Sequence, residues 1–212
     1  MMRARTIARV VWLEMIRRKD LYVLGILLAA LMLTLVSVNV YGLGSVARYV
    51  KDVGLLLTWI CSWVLAIGAA ARQLPQEEAR GTIYSLLAKP ITRAELALGK
   101  WLGAWSISAA ATALFYALIV GVAHMRGGIF NMGTLAQAYL LHGVNLGMVT
   151  ALALALSTRT TYGAAASLSY VAAIASYVIV PQIPVLLTVE TGFRATALMA
   201  LYYALPHFEL FD

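Results

Sequence analysis

Residues 72–100 read RQLPQEEARGTIYSLLAKPITRAELALGK, and this stretch decides the fold. It is the longest polar interruption in an otherwise apolar chain. It holds Glu77, Glu78 and Glu95 together with Arg72, Arg80, Lys89, Arg93 and Lys100. The runs on either side, 53–71 and 101–123, carry no charge. Each is long enough to cross the roughly 30 Å of hydrocarbon in a bilayer. A charged segment punctuated by proline and glycine between two such runs must lie in water.

The whole composition agrees. The chain of 212 residues is 62% hydrophobic and 12% charged, with a mean hydropathy of +0.85. Soluble domains average about 25% charged residues, and so few charges cannot build a water-facing surface around a chain of this size. The net charge of +7 does not indicate nucleic acid, because most bases lie next to apolar runs, where they set topology and contact anionic lipid. The single cysteine, Cys61, sits inside an apolar run and reads as a small packing residue. No cluster of Cys and His suggests a metal site.

Working outward, residues 3–20 are basic, with Arg3, Arg5, Arg9, Arg17, Arg18 and Lys19. Ile7, Val11 and Met15 recur every four residues and make an apolar stripe, widened by Trp12 and broken at its edge by Glu14. This predicts a helix over 1–20 lying on the membrane surface; a basic tail that only sets topology is the plainer reading. The uncharged run 21–43 is too long for a signal-peptide core of roughly 7–15 residues and reads as the first span. Residues 44–52 are expected to be a short polar connection, and 53–71 the second span, with Trp59 and Trp63 on one face. Beyond the opening stretch come spans at 101–123, 134–156 and 162–180, the last stopped by Pro181 and Pro184. Trp101 and Trp105 suit the headgroup level. The segment 181–212 contains Glu190 and Arg194 at ion-pair spacing, and its apolar piece 195–205 is too short to span.

The expected fold is therefore an all-α integral membrane domain over 1–212. It has an N-terminal interfacial helix, five transmembrane helices, a polar loop at 72–100 and an external segment at 181–212. Bases concentrate in 3–20 and 72–100, so the positive-inside rule puts the N-terminus and that loop in the cytoplasm.

Within the loop, Pro75 can open a helix whose first turn carries Gln76, Glu77 and Glu78, where the dipole favours acid. Gly81 breaks it. Thr82 can cap a second short helix over 83–88, which Pro90 ends. Thr92 and Glu95 have capping-box spacing and start the helix that feeds the third span. Ile83, Leu86 and Leu87 then need a partner surface or a fold-back onto the bundle. A plain connector with capped helices is the alternative reading of the same residues.

The loop and its continuation, EEARGTIYSLLAKPITRAELALGKWLG, resemble the first cytoplasmic loop of ABC-2 type transporter permeases. The matching positions are Glu78, Gly81, Thr82, Leu86, Leu87, Pro90, Arg93, Gly99 and Lys100. The chain looks closest to the branch that includes the permease for maturation of nitrous oxide reductase. The resemblance implies a permease half in a prokaryotic inner membrane, paired with a second permease copy and with cytoplasmic ATPase subunits. Glu77, Glu78, Arg80, Gly81, Thr82, Leu86, Leu87, Pro90 and Arg93 would then form the coupling element seated on the ATPase. It also implies six spans where the hydropathy yields five.

No G-x-x-x-x-G-K-[ST] phosphate loop is present, since Gly99-Lys100 runs into Trp101. ATP and Mg2+ are expected on a partner chain, with no cofactor bound by this one and no enzymatic activity of its own. Inside the spans, Gln137, His142 and Asn145 share one sector of a helix, as do Ser169, Tyr170, Ser176 and Tyr177. Such residues either line a path or bond between helices. The expectation is a permease subunit of an ATP-driven transporter. A membrane anchor that recruits a partner through 72–100 without transport is the alternative.

Overall fold

The computed structural model describes residues 2–37, 46–81, 92–125, 131–188, 192–204 and 207. Among them the regular structure is helical throughout. The helices are α1 (Met2–Arg17), α2 (Lys19–Ser37), α3 (Val46–Ala71), α4 (Gln73–Ala79), α5 (Arg93–Met125), α6 (Met132–Ser157), α7 (Tyr162–Ile179), α8 (Ile183–Leu187) and α9 (Phe193–Ala204).

Among the described residues, four helical stretches are long and apolar enough to cross a membrane: residues 51–79, 93–125, 132–157 and 162–187. They include α3, α5, α6 and α7. The expected first span is represented by α2, whose apolar stretch among the described residues is the shorter Tyr22–Leu31; residues 38–43 of that expectation lie outside the described residues.

Two places differ from the sequence reading. The connection expected at 44–52 is helical from Val46 onward, because Arg48, Lys51 and Asp52 extend α3 by two polar turns rather than interrupting it. α7 ends at Ile179, ahead of Pro181 as expected, but helical structure continues beyond it. A 3-10 turn, Val180–Gln182, and then α8 follow α7 directly. Each proline falls in the first turn of its new element, where its missing N–H is not needed.

α3 packs on α5 and α6, and α7 on α6. Their shared core is rich in alanine: Ala66, Ala69, Ala70, Ala104, Ala153, Ala165 and Ala173 are all buried. Small residues let helix backbones approach where lipid offers no hydrophobic drive. Outward, Leu114, Leu140 and Val171 are exposed, as lipid-facing positions require.

α1 is a helix, as expected, but its stripe packs on protein. Val11 and Met15 are buried in the main core, and the Trp12 indole donates to Ser106 Oγ at 2.7 Å. α1 crosses α5 at Gly103, where an added Cβ would lie 2.6 Å from the Val11 Cβ. Trp101 and Trp105 likewise face protein. They stack with 5.6 Å between ring centroids and donate to the Gly147 and Gly143 carbonyls of α6 at 2.9 and 2.7 Å.

Candidate functional site

The site is α4 and what holds it. α3 ends at Ala71, and Arg72 turns the chain. Its guanidinium reaches back to the Gly68 carbonyl and lies 5.2 Å from the centroid of the Tyr162 ring. The turn is thereby tied to the start of α7. Pro75 sits in the first turn of α4. The far end closes at Gly81, whose φ of 69° is left-handed and whose N–H donates to the Glu78 carbonyl at 3.0 Å. That conformation favours glycine, while a Cβ there would meet nothing within 4 Å. The demand at Gly81 is therefore on the backbone and not on space.

Two charged contacts fix α4 from inside. Lys100 on α5 is 1% exposed. Its Nζ lies 2.6 Å from Glu77 Oε1 and donates to the Gln73 carbonyl at 3.3 Å. A buried ammonium is tolerated only when paired and hydrogen-bonded, and α4 supplies both. On the other side Arg18, just past the end of α1, pairs with Glu14 of α1 at 3.2 Å and donates to Gln76 Oε1. Arg80 approaches Glu14 at 3.8 Å. α1, α4 and the start of α5 therefore form one bonded unit around a polar cavity of about 90 Å3.

α5 itself begins with the predicted capping box. The Thr92 N–H donates to Glu95 Oε2 at 3.1 Å, and the Glu95 N–H to Thr92 Oγ1 at 3.2 Å.

The expected coupling residues thus separate. Glu77 faces inward. Glu78, Arg80, Gly81 and Arg93 are exposed. Thr82, Leu86, Leu87 and Pro90, with the short helix expected over 83–88, lie outside the described residues, as does Glu190. Sequence reasoning missed Glu14, Arg18, Gln73, Gln76 and the structural role of Lys100. One signal was present: Glu14 spoils the apolar stripe of α1 because that position faces Arg18 and Arg80.

Two shallow grooves flank α4. One, of about 700 Å3, runs along α1 and includes Val10, Leu13, Arg17, Arg18 and Arg80. The other, of about 670 Å3, lies between Pro75, Glu78 and the α6–α7 turn at Arg159.

The polar residues of the spans also separate. Asn145 is buried and accepts from the Trp63 indole at 3.2 Å. His142 is buried between Ser62 and Tyr116. Ser169 and Ser176 are buried and donate to carbonyls of their own helix, Ala165 and Ala172. Tyr170 donates to the Val64 carbonyl at 3.3 Å. Gln137 is exposed and stands apart. Tyr177 alone of the α7 group joins His142 at a cleft.

A family model described as ABC-2 family transporter protein matches residues 5–202. Among curated proteins, none matches the chain.

Proposed function

The chain belongs to the ABC-2 transporter family, and from that premise we propose that it is the transmembrane permease subunit of an ATP-binding cassette transporter. It works with a second permease copy and with a separate cytoplasmic ATPase that binds ATP and Mg2+. The protein sits in a prokaryotic inner membrane with its N-terminus and residues 72–100 in the cytoplasm. Its transport step moves substrate out of or across that membrane.

The observation that carries this reading is the double tether of α4, through Glu77 to Lys100 and through Gln76 to Arg18. A surface turn that only connected two spans would need neither. Held on both sides, α4 moves with α3 and α5 as a unit, so a push on its exposed face reaches the spans rather than dissipating in a loop. Glu78 and Arg80 present that face to the ATPase. The groove along α1, with Arg17, Arg18 and Arg80 against Glu14, has net positive charge and suits an acidic helix of the partner. Closure of two ATPase subunits would tilt the tethered spans and switch the bundle between two packings.

The test is affinity purification from native membranes. An ATPase chain should be recovered whose hydrolysis rate changes with the permease present. Glu78→Lys and Gly81→Trp should insert normally and abolish that change. No recovered ATPase, or normal coupling in both variants, sinks the proposal. An ATPase bound without any transport would instead identify a membrane anchor.

A further inference from the structure

α1 has a second face. Val11 and Met15 are buried in the bundle. At about 100° per residue, Arg5, Arg9, Leu13 and Ile16 fall on the opposite side of the helix. All four are exposed, Leu13 to 50% and Ile16 to 43%. The apolar stripe expected to lie on the membrane is therefore taken by protein, and the side that faces outward is a different one.

On that side cation and hydrocarbon are interleaved. Over residues 3–20 six bases stand against the acids Glu14 and Asp20, and Glu14 is already held by Arg18 and Arg80. Arg5 and Arg9 make no ion pair among the described residues. The groove beside α4 shares Leu13 with this face, but its described lining does not reach Arg5, Arg9 or Ile16.

The next helix fixes the surroundings. From the exposed Lys19 the chain runs directly into α2, where Tyr22, Val23, Ile26 and Leu27 are exposed. An apolar helix side of this kind needs lipid, so the membrane boundary lies close to the end of α1. Water alone would leave Leu13 and Ile16 without cover. Hydrocarbon alone would strand two guanidinium groups. The headgroup layer suits both, since apolar side chains enter the acyl boundary while the guanidinium forks pair with phosphate. The positive balance of the segment favours lipids of net negative charge.

We infer that the outward face of α1 is a docking surface for anionic phospholipid. Arg5 and Arg9 take the phosphates, and Leu13 and Ile16 enter the acyl boundary. The contact rests on the membrane-spanning fold and not on the permease reading.

The test places a bimane label on Ile16→Cys in a Cys61→Ala background. The full chain is reconstituted without ATPase or nucleotide, so a failure here is distinct from a failure of coupling. The vesicles are phosphatidylcholine with increasing phosphatidylglycerol, and one of the two lipids carries acyl-chain bromine. At equal mole fraction, brominated phosphatidylglycerol should quench the label more than brominated phosphatidylcholine. Arg5→Gln with Arg9→Gln should raise the phosphatidylglycerol fraction for half-quenching at least about fivefold, the effect of one surface arginine. Arg93→Gln with Arg159→Gln, which removes the same charge at two other exposed positions, should leave that fraction unchanged. A label open to aqueous iodide and quenched by neither lipid overturns the inference and gives the face to a soluble partner. Equal quenching by the two lipids overturns it, as does an equal loss of preference in the two double variants. Leu13→Cys gives the same readout if Ile16→Cys fails to fold.

Discussion

Lys100 Nζ and Glu77 Oε1 lie 2.6 Å apart although the lysine is almost wholly buried. The pair joins the helix that starts the third predicted span to the short helix that follows the second. Lys100→Met removes the cation and leaves the Glu77 carboxylate in a site that is only a quarter exposed. Breaking a fully buried pair costs about 3–5 kcal/mol; the residual exposure of Glu77 places this variant near the lower figure. The double variant Lys100→Met, Glu77→Leu should recover most of the loss, because an apolar pair of similar size often replaces a buried ion pair without cost. Thermal unfolding of the three proteins in one detergent decides it, and a double variant as weak as the single one contradicts the pairing.

Gly103 marks the crossing of α1 over α5. Its Cβ would lie 2.6 Å from Val11, closer than side chains tolerate, so Gly103→Ala should push α1 off the bundle. The expected cost is about 1–3 kcal/mol, the range for overpacking, and trypsin should cut at Arg9 and Arg17 faster than in the unaltered chain. Gly121 in the same helix is the control. A Cβ there meets nothing within 4 Å, so Gly121→Ala should be neutral or stabilising by up to about 1 kcal/mol. Equal sensitivity of the two variants to trypsin would show that α1 is not seated at Gly103.

The capping box at the head of α5 should behave as one unit. Thr92→Ala and Glu95→Ala each remove bonds to a terminal N–H. Each should cost about 0.5–2 kcal/mol of local stability. The double variant should cost clearly less than the sum, since either change already breaks the reciprocal pair. Amide exchange over residues 93–96 reads this directly, and strict additivity would contradict the observed geometry.

The membrane class was legible because long apolar runs and sparse charge have no soluble solution. Thr92 with Glu95, and Gly81, were legible because caps and left-handed turns are local chemistry written within a few residues. The tethers of α4 were not. Glu77 and Glu78 are adjacent and chemically alike, and only the rotation of a short helix against α5 turns one toward Lys100 and the other outward. Glu14 and Arg80 are far apart in sequence, so the flaw that Glu14 makes in the α1 stripe was visible while its partner was not. For Trp101 and Trp105 the sequence showed amphipathic rings near a span start, but not that their indole N–H groups bond the Gly147 and Gly143 carbonyls, because those glycines lie on another helix. Pro181 and Pro184 marked the end of α7 correctly, but not the short helical turns they open, because a proline forbids helix interior and not a helix beginning.

The polar residues of α6 allow a last discrimination, between packing and pathway. Asn145 is buried and holds the Trp63 indole, whereas Gln137 is exposed on the same helix. Asn145→Leu removes the acceptor that Trp63 uses, and hydrogen bonds between membrane helices average about 0.6 kcal/mol with a maximum near 1.7. The buried position and the stranded donor put the expected loss in the upper half of that range. Trp63→Phe in the same background removes the stranded donor, so the two changes should be coupled in a double-variant cycle. Gln137→Leu should change stability by less than about 0.5 kcal/mol. If Asn145 serves packing alone, transport per folded molecule is unchanged in Asn145→Leu once the lower yield is corrected. If transport per folded molecule falls while the unfolding midpoint stays put, Asn145 belongs to the path and its bond to Trp63 is incidental.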